Sequence, residues 1–350
     1  MIDPARKPTM TDVAREAGVS QKTVSRVFNG EPNVRPHIHE RVLHTAEELG
    51  YRRNSLAASL TSPTRGRTIG VLIEDLADPF WAAMISGVEE QTQARNYSLL
   101  IASSAEDPGR EQQNLDMFLS RQVDGIIVVP SSSDHAYLRA DIARGTAVIF
   151  VDRPATNIDV DTISIDHFAG ARAAAQHLLA HGHTKIGYVG HTDQVFTGTQ
   201  RRRGFESALE EANIRLPKKY LVTNVTDALS SESATLDLLK TPDPPTALFA
   251  DNNRAAAGVV RALNKRDASH IAMVGFDDFE FAEMLGITVI SHDGRSLGRS
   301  AAARLLDRLD GQSHEIAHLT LPTTLIARGS GERPPERTDG LLSAGVADPR

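Results

Sequence analysis

Four polar residues share one face of a short predicted helix. Gln21, Lys22, Ser25 and Arg26 stand at positions i, i+1, i+4 and i+5, so helical periodicity places them side by side. Their amide, hydroxyl and cationic groups are the kinds of groups that read base edges, and one helix fits a DNA major groove. The pattern therefore indicates a helix that reads DNA, although the outer face of a generic helical hairpin would look similar.

A second candidate site follows a predicted strand. Asp277 follows the apolar run 271–275, and α/β sheets bind ligands at the carboxyl ends of their strands. Arg201 is predicted to begin a helix, where a cation opposes the helix dipole by some tenths of a kcal/mol. That unfavourable position suggests a functional role for Arg201, whereas Arg202 and Arg203 are expected to project into water.

Two adjacent aromatic residues open a predicted helix after the first strand of the body. Phe80 and Trp81, the only tryptophan, offer apolar faces of the kind that stack on sugar rings or nucleobases. Packing in an ordinary core is an equally good interpretation of both residues.

Patterns typical of enzymes are weak in this sequence. The phosphate-binding glycine signatures are missing, so no nucleotide cofactor is expected. His39 and His44 stand five residues apart, about 140° around a helix, which does not suit a shared metal ion. The acidic pairs 89–90 and 210–211 have the ordinary interpretation of solvated helix faces. We therefore expect no cofactor, no metal and no enzymatic activity.

The composition bounds the architecture. A chain of 350 residues with 40% hydrophobic content suggests two or three domains. The absence of cysteine excludes disulfides and thiol catalysis. The N-terminus lacks the apolar stretch of a signal peptide, and no segment approaches the roughly 20 apolar residues of a membrane span. A soluble, cytoplasmic protein without a membrane partner is expected.

Charge is distributed unevenly along the chain. Residues 1–66 contain ten Lys/Arg against seven Asp/Glu, whereas the remaining residues contain 28 against 38. A small basic head joined to an acidic body is expected when one domain meets phosphates and the other does not. Ordinary scatter of charge in a short segment is the alternative.

The basic head has the signals of three short helices. Thr9 and Asp12 have the form of a capping box, and Gly18 ends the first helix at a sharp turn. Ser20 is predicted to cap the second helix, and Pro36 suits the first turn of the third. Two helices joined by a tight turn, with a third behind them, make a helix-turn-helix of about fifty residues.

The runs 9–29 and 46–54 resemble the DNA-binding module of the lactose/galactose repressor (LacI-GalR) family. The resemblance implies sequence-specific binding to near-palindromic double-stranded operator DNA. It also implies that the DNA contacts come from Thr9, Ser20, Gln21, Lys22, Thr23, Ser25, Arg26, Asn29, Asn54 and Leu60. One departure is Arg35, which stands where the family usually has a Ser or similar cap before the third helix.

Residues 54–66 are predicted to be a hinge helix and linker. Two helical turns are too few to hold a helix in water unaided, so a flexible linker is the simplest interpretation for the free protein. The resemblance implies that this segment orders when two subunits meet on DNA, with Leu60 wedged between bases in the minor groove.

The acidic body alternates apolar strands with helical segments. Seven runs are predicted to be strands buried on both faces of parallel sheets: 69–73, 99–102, 125–129, 147–151, 185–189, 247–250 and 271–275. Helices are predicted between them, for example over 80–95, 111–121, 169–180, 201–212 and 254–265. The fold class is therefore an all-α head followed by a doubly wound α/β body.

The body also resembles the effector domain of the same family, which is of the periplasmic-binding-protein type. The motifs that match include Asp78-Pro79-Phe80, Val151-Asp152-Arg153-Pro154 and Val274-Gly275-Phe276-Asp277-Asp278. The resemblance implies two lobes, with the chain crossing near residues 160, 290 and 320. It implies that the effector is bound by Phe80, Trp81, Arg201, Asn252, Asp277 and His292, where His292 replaces a commoner Gln.

These observations predict a homodimeric transcriptional regulator, a repressor, controlled allosterically by a small sugar- or nucleoside-like metabolite. The expected domains are a helix-turn-helix over 8–53, the hinge over 54–66, a two-lobed body over 67–330 and a disordered tail over 331–350. The tail has no heptad repeat, which favours a dimer over a coiled-coil tetramer. The alternative function is ligand transport or catalysis in the cleft, with the head as an accessory.

Overall fold

The structure is a computed structural model and describes residues 8–28, 31–32, 34–51, 67–192, 195–312 and 315–335. The chain divides after Arg67 into two compact units, and each is described by itself. The predicted hinge, with Asn54 and Leu60, and the predicted DNA contact Asn29 lie outside the described residues.

The described part of the first unit contains three helices around a small apolar core. Helix α1 spans Met10–Glu16, α2 spans Gln21–Phe28 and α3 spans Pro36–Glu48. The capping box at Thr9 is confirmed, since its backbone amide and hydroxyl both donate to Asp12 Oδ2, at 2.9 and 2.6 Å. Gly18 ends the first helical segment with a left-handed backbone, φ 61°. Arg35 provides no side-chain cap for α3, as its residue type led us to expect.

The second unit contains two six-stranded sheets, which define two lobes. The strands of lobe 1 are β1 (Thr68–Ile73), β2 (Ser98–Ser103), β3 (Gly125–Val128), β4 (Ala147–Val151), β5 (Asp161–Ile165) and β11 (His318–Leu321). The strands of lobe 2 are β6 (Ile186–Val189), β7 (Leu221–Val222), β8 (Ala247–Ala250), β9 (Ala272–Phe276), β10 (Thr288–Ser291) and β12 (Thr324–Ile326). The orders are β11-β5-β4-β3-β1-β2 and β12-β10-β9-β8-β6-β7. All neighbours are parallel except β10 and β12, which are antiparallel.

Helices cover both faces of each sheet. Lobe 1 carries α4 (Pro79–Gln93), α5 (Pro108–Ser120), the short α6 (Arg139–Ala143) and α11 (Gly294–Leu309). Lobe 2 carries α7 (His167–Ala180), α8 (Phe196–Glu211), α9 (Ala228–Leu239) and α10 (Asn253–Lys265). The close approach of α4 and α11 requires glycine, because a Cβ atom at Gly298 would lie 1.9 Å from the carbonyl oxygen of Met84.

All seven predicted strands are present, and their ends agree with the prediction to within one residue. The predicted burial on both faces is confirmed for six of them, as in 125–128 and 247–250, but it is wrong for β2, an edge strand in which Ser98 and Ile101 are exposed. The predicted doubly wound α/β fold is thus confirmed. The chain crosses between the lobes after Ile165, after Ser291 and between β11 and β12.

One helix start and one tail boundary were predicted incorrectly. Helix α8 begins at Phe196, so Arg201 lies in its second turn and the helix-dipole argument for that residue is wrong. The residues 331–335, predicted to belong to a disordered tail, pack on lobe 2. Glu332 accepts hydrogen bonds from Thr288 Oγ1 at 2.8 Å and Gly329 N at 2.6 Å, and its Oε1 lies 2.5 Å from His177 Nε2. Hydrogen bonds between polar side chains leave no periodic pattern of apolar residues in the sequence, so this packing could not be predicted from such a pattern.

Candidate functional site

Polar side chains from the carboxyl ends of both sheets converge between the two lobes. Glu74 follows β1 and Asp152 follows β4 in lobe 1, while His191, Asp251 and Asp277 follow β6, β8 and β9 in lobe 2. The carboxyl ends of parallel strands meet at one edge of a sheet, which explains why residues distant in sequence come together. They line a cavity with a volume of about 60 Å³, enough for only a few water molecules.

Arg201 lies at the centre of the lobe 2 side of this cleft. Its side chain is 10% exposed, and its Nη1 donates to the carbonyl oxygen of Asp251 at 2.6 Å. Its Nε donates to His167 Nδ1 at 3.2 Å, and its Nη2 lies 3.7 Å from Asp277 Oδ1. The guanidinium also lies 4.0 Å above the centre of the Phe276 ring. These contacts fix the plane of the guanidinium and therefore the directions in which its remaining N–H groups can donate to a ligand.

Asp277 faces Arg201 from the end of β9. Its backbone is left-handed, φ 73°, and its carboxylate accepts hydrogen bonds from Asn253 N at 3.1 Å and His292 Nε2 at 2.7 Å. Burial opposes ionisation, but the Arg201 charge and the His292 hydrogen bond outweigh it and hold the pKa of Asp277 below its ordinary value. Asp277 is therefore an ionised acceptor at neutral pH.

Asp251 is a fully buried carboxyl group beneath the same cavity. It accepts hydrogen bonds from Tyr188 Oη at 2.8 Å, His191 N at 2.9 Å and Asn252 Nδ2 at 2.8 Å. Burial raises its pKa to about 6, although the nearby Arg201 acts in the opposite direction. The three donors therefore offset only part of the cost of removing water from this carboxylate.

The lobe 1 side is organised by Arg153. Its two terminal nitrogens form a bidentate pair with Glu106, at 2.5 and 2.8 Å, and Nη2 lies 3.3 Å from Glu74 Oε2. Burial, reinforced by the negative charge of Glu106, raises the pKa of Glu74 to about 8. The pKa of Glu106 is lowered, since the hydrogen bond and charge of Arg153 outweigh its own burial. Glu74 therefore holds a proton at neutral pH while Glu106 is ionised.

Polar contacts on both sides of the cleft join the lobes. Arg254 Nη2 donates to Asp75 Oδ2 at 2.7 Å, and Asn253 Nδ2 donates to Asp78 Oδ1 at 3.0 Å. On the opposite side, His167 Nε2 lies 3.0 Å from Asp152 Oδ1. A ligand that inserted between the lobes would therefore compete with contacts that the lobes make with each other.

The predicted effector residues lie at this cleft. Phe80, Trp81, Arg201, Asn252 and Asp277 line the cavity. Trp81 is only 3% exposed and also belongs to the core of lobe 1, so it combines the two roles that the sequence left open. The amide of Asn252 is engaged as the cap of α10, accepting from Ala255 N at 2.8 Å. The structure places the sixth residue, His292, behind Asp277, with its ring 4.7 Å from the Phe80 ring centre.

Several cleft residues were not assigned a role from the sequence. The set comprises Glu74, Asp78, Glu106, Asp152, Arg153, His167, His191, Asp251, Asn253 and Arg254. Three of them directly follow a strand, so the rule that identified Asp277 would also have found Glu74, Asp152 and Asp251 if applied to every strand. An acidic residue directly after a predicted strand was the sequence signal that could have identified them.

Helix α2 of the first unit exposes the face that the sequence predicted. Gln21, Lys22 and Arg26 are exposed, while Thr23 and Ser25 are half-buried. Ser20 accepts the Thr23 amide at 3.1 Å and so begins this helix, as predicted. Arg26 Nε lies 3.2 Å from Glu31, an exposed ion pair that is easily exchanged for another anion.

The chain belongs to the LacI family of bacterial regulatory proteins. Residues 9–54 match the family described as bacterial regulatory proteins of the lacI family, and residues 66–329 match that of periplasmic binding proteins and the sugar binding domain of the LacI family. The ribose operon repressor of Haemophilus influenzae is 32% identical over 329 residues, which covers 92% of this chain and 98% of that protein.

Solved structures agree with this assignment. The Lac repressor dimer bound to operator and the anti-inducer ONPF has a TM-score of 0.80 at 25% identity, and the match covers 93% of this chain and 99% of that one. A CelR–cellobiose complex has a TM-score of 0.66 at 28% identity, over 92% of this chain and 99% of that one. The protein is a DNA-binding transcriptional regulator of the repressor type under allosteric control by a small ligand. Its family consists of regulators, not enzymes.

Proposed function

We propose that this protein is a homodimeric repressor that binds a near-palindromic operator and changes its operator affinity when a small hydroxylated metabolite occupies the cleft. The Lac repressor relative is a dimer on its operator, and other relatives carry names that refer to ribose or cellobiose. The proposed domains are the head over 8–53, the hinge over 54–66 and the body from 67 to 335.

The observation that carries the proposal is the pairing of Arg201 with Asp277 at the floor of a cleft between two lobes. One residue supplies only hydrogen-bond donors and the other, when ionised, only acceptors, a combination that suits a ligand rich in hydroxyl groups. The half-buried Phe80 ring beside them suits the apolar C–H face of a sugar ring. Phe80, Trp81, Arg201, Asn252 and Asp277 are the proposed ligand contacts, and His292 supports two of them.

The proposed allosteric coupling acts through the contacts between the lobes. A hydroxylated ligand would exchange hydrogen bonds with groups that now pair across the cleft, such as Asn253 with Asp78 and Arg254 with Asp75. Any change in the angle between the lobes passes through the segments where the chain crosses between them. A ligand can shift the operator-bound population only by the difference in its affinity for the two lobe arrangements.

We also propose that the protein acts in the cytoplasm, where bacterial operator DNA is located. No helix in the described ranges is long and apolar enough to cross a membrane. We propose, as we predicted from the sequence, that the protein uses no metal ion and no cofactor.

The DNA-reading role of α2 gives a direct prediction. Lys22→Ala or Arg26→Ala should relax base preference by about 1–3 kcal/mol at particular operator positions, because each removes donors from the exposed face. The measurement is binding to a set of single-base operator variants at fixed salt. Arg41→Ala, an equal loss of charge on the exposed part of α3, is the matched control. Equal losses on operator and random DNA for the α2 variants would contradict base readout.

A thermal-shift screen of sugars, polyols, nucleosides and purines tests the effector part of the proposal. A ligand at 100 times its dissociation constant should add about 2.7 kcal/mol to the free energy of unfolding. Hits are then added to the protein on a labelled operator. A hit that shifts the melting temperature without altering operator binding would favour the alternative function of transport or catalysis, and chemical conversion of the hit would identify catalysis.

A further inference from the structure

The charges that line the cleft are strongly unequal. Among the residues that the structure describes, six carboxyl groups line the cavity, against three guanidinium groups and no lysine. The carboxyl groups belong to Glu74, Asp78, Glu106, Asp152, Asp251 and Asp277, and the guanidinium groups to Arg153, Arg201 and Arg254. Even with Glu74 protonated, the remaining carboxylates outnumber the cations, so the potential inside the cavity is negative.

Each of the three arginines is already engaged by acceptors of the protein. Arg153 is held by Glu106 and Glu74, as described above. Arg254 is held by Asp75 at 2.7 Å and lies 3.5 Å from Glu74. Arg201 is held by a carbonyl oxygen and by Asp277. A phosphate or carboxylate ligand that paired with Arg153 would have to displace Glu106, and one that paired with Arg201 would compete with the buried Asp277.

The first turn of α8 also faces an internal anion. Thr197 and Gly198 of this turn line the cavity, and helix N-termini favour negative charge. A Cβ atom placed on Gly198 would lie 3.9 Å from Asp251 Oδ2. The carboxylate of Asp251 thus already occupies the position near the helix N-terminus that favours a negative charge, and a ligand does not need to provide one.

We propose that the effector carries no negative charge: the cleft selects an unphosphorylated sugar or polyol and excludes phosphate esters and sugar acids of the same skeleton. This inference rests on the proposed function and narrows the ligand of that same site. A negative charge placed among surplus carboxylates costs Coulomb energy that a hydroxyl group avoids. At separations of about 6 Å and an effective dielectric constant near 20, one unpaired like charge weakens binding on the order of 100-fold.

The experiment compares matched pairs of ligands on the full-length protein at fixed pH and ionic strength. The probes are ribose with ribose 5-phosphate, glucose with glucose 6-phosphate, fructose with fructose 1-phosphate, and glucose with gluconate. We expect a free sugar to bind about 100-fold more tightly than its anionic partner, measured by thermal shift and calorimetry. An anionic partner that binds as tightly as the free sugar, or more tightly, would overturn the inference and leave the proposed sugar regulator intact. No binding by either member of any pair, together with no hit in the wider screen of polyols, nucleosides and purines, would overturn the proposed function and the inference with it.

A pair of variants tests whether the cleft charge causes the discrimination. Asp78 and Asp107 both precede a proline and cap a helix in lobe 1, but only Asp78 lines the cavity. Asn caps a helix about as well as Asp, so both substitutions preserve the fold. Asp78→Asn should reduce the preference for the free sugar several-fold, and Asp107→Asn should leave it unchanged. An equal preference in both variants would show that the cleft charge does not cause the exclusion.

Discussion

Asp277→Asn should bind operator as the wild type does and no longer respond to the effector. The substitution keeps the shape of the side chain and tolerates the left-handed backbone at this position, since Asn adopts positive φ more readily than most residues. It removes the charge that faces Arg201 and one acceptor from the cleft. Loss of a charged hydrogen bond to the ligand should cost about 1–3 kcal/mol, a 5- to 150-fold loss of affinity.

The neighbouring acid provides a matched control for this prediction. Asp278 pairs with Arg328 Nη1 at 2.7 Å and Nη2 at 2.8 Å, and it does not line the cavity within the described residues. Asp278→Asn removes the same charge one residue further along the chain and should retain the effector response. Titration of the effector against each variant on labelled operator measures both outcomes. A wild-type response of Asp277→Asn would disprove the site assignment.

Glu74→Gln should make the stability of the protein less dependent on pH. The pKa of Glu74 is raised from 4.5 to about 8, so between these values the native state holds a proton that the unfolded state releases. The free energy of unfolding therefore falls as pH rises through this window, by on the order of 5 kcal/mol when the whole shift is expressed. Gln carries no such proton, so the variant should match the wild type near pH 4.5 and exceed its stability above pH 8.

Glu106 should change the pH dependence of stability in the direction opposite to Glu74. Its pKa is lowered by Arg153, so its ionised form stabilises the fold above pH 4.5, and this contribution is lost as pH falls. Glu106→Gln should therefore destabilise the protein at neutral pH. Denaturant unfolding of both variants at pH 5, 7 and 9 measures the two effects. Parallel curves for Glu74→Gln and the wild type across this range would contradict a raised pKa at Glu74.

The sequence predicted the elements whose signals are local. Most of the buried strands form uninterrupted apolar runs, and the first three helices were marked by Thr9, Ser20 and Pro36. Five other strands were not predicted: the edge strands β7, β11 and β12 are only partly buried, and the buried strands β5 and β10 contain polar residues that interrupt the apolar run. The start of α8 was misplaced because its cap position is Val195, whose side chain accepts no hydrogen bond from the first turn.

The site was predicted only in part, for a different reason. Asp277 could be inferred because the residue and its strand are adjacent in sequence. The partners that decide the charge of the cleft are distant: Arg254 and Asp75 are 179 residues apart, and Arg153 and Glu106 are 47 apart. No local pattern contains such pairs. If every polar residue that follows a strand were taken as a candidate, Glu74, Asp152 and Asp251 would be found. Which carboxylate pairs with which arginine can be seen only in the three-dimensional structure.

The central claim is that the cleft and the operator-binding head are energetically coupled, and reciprocal linkage tests it most directly. The dissociation constant of the effector is measured by calorimetry for the free protein and for the protein saturated with operator. Operator affinity is measured by fluorescence anisotropy with and without saturating effector. The account predicts that both affinities change by the same factor, about 5- to 150-fold. An effector that binds the cleft with equal affinity in the presence and absence of operator would contradict it.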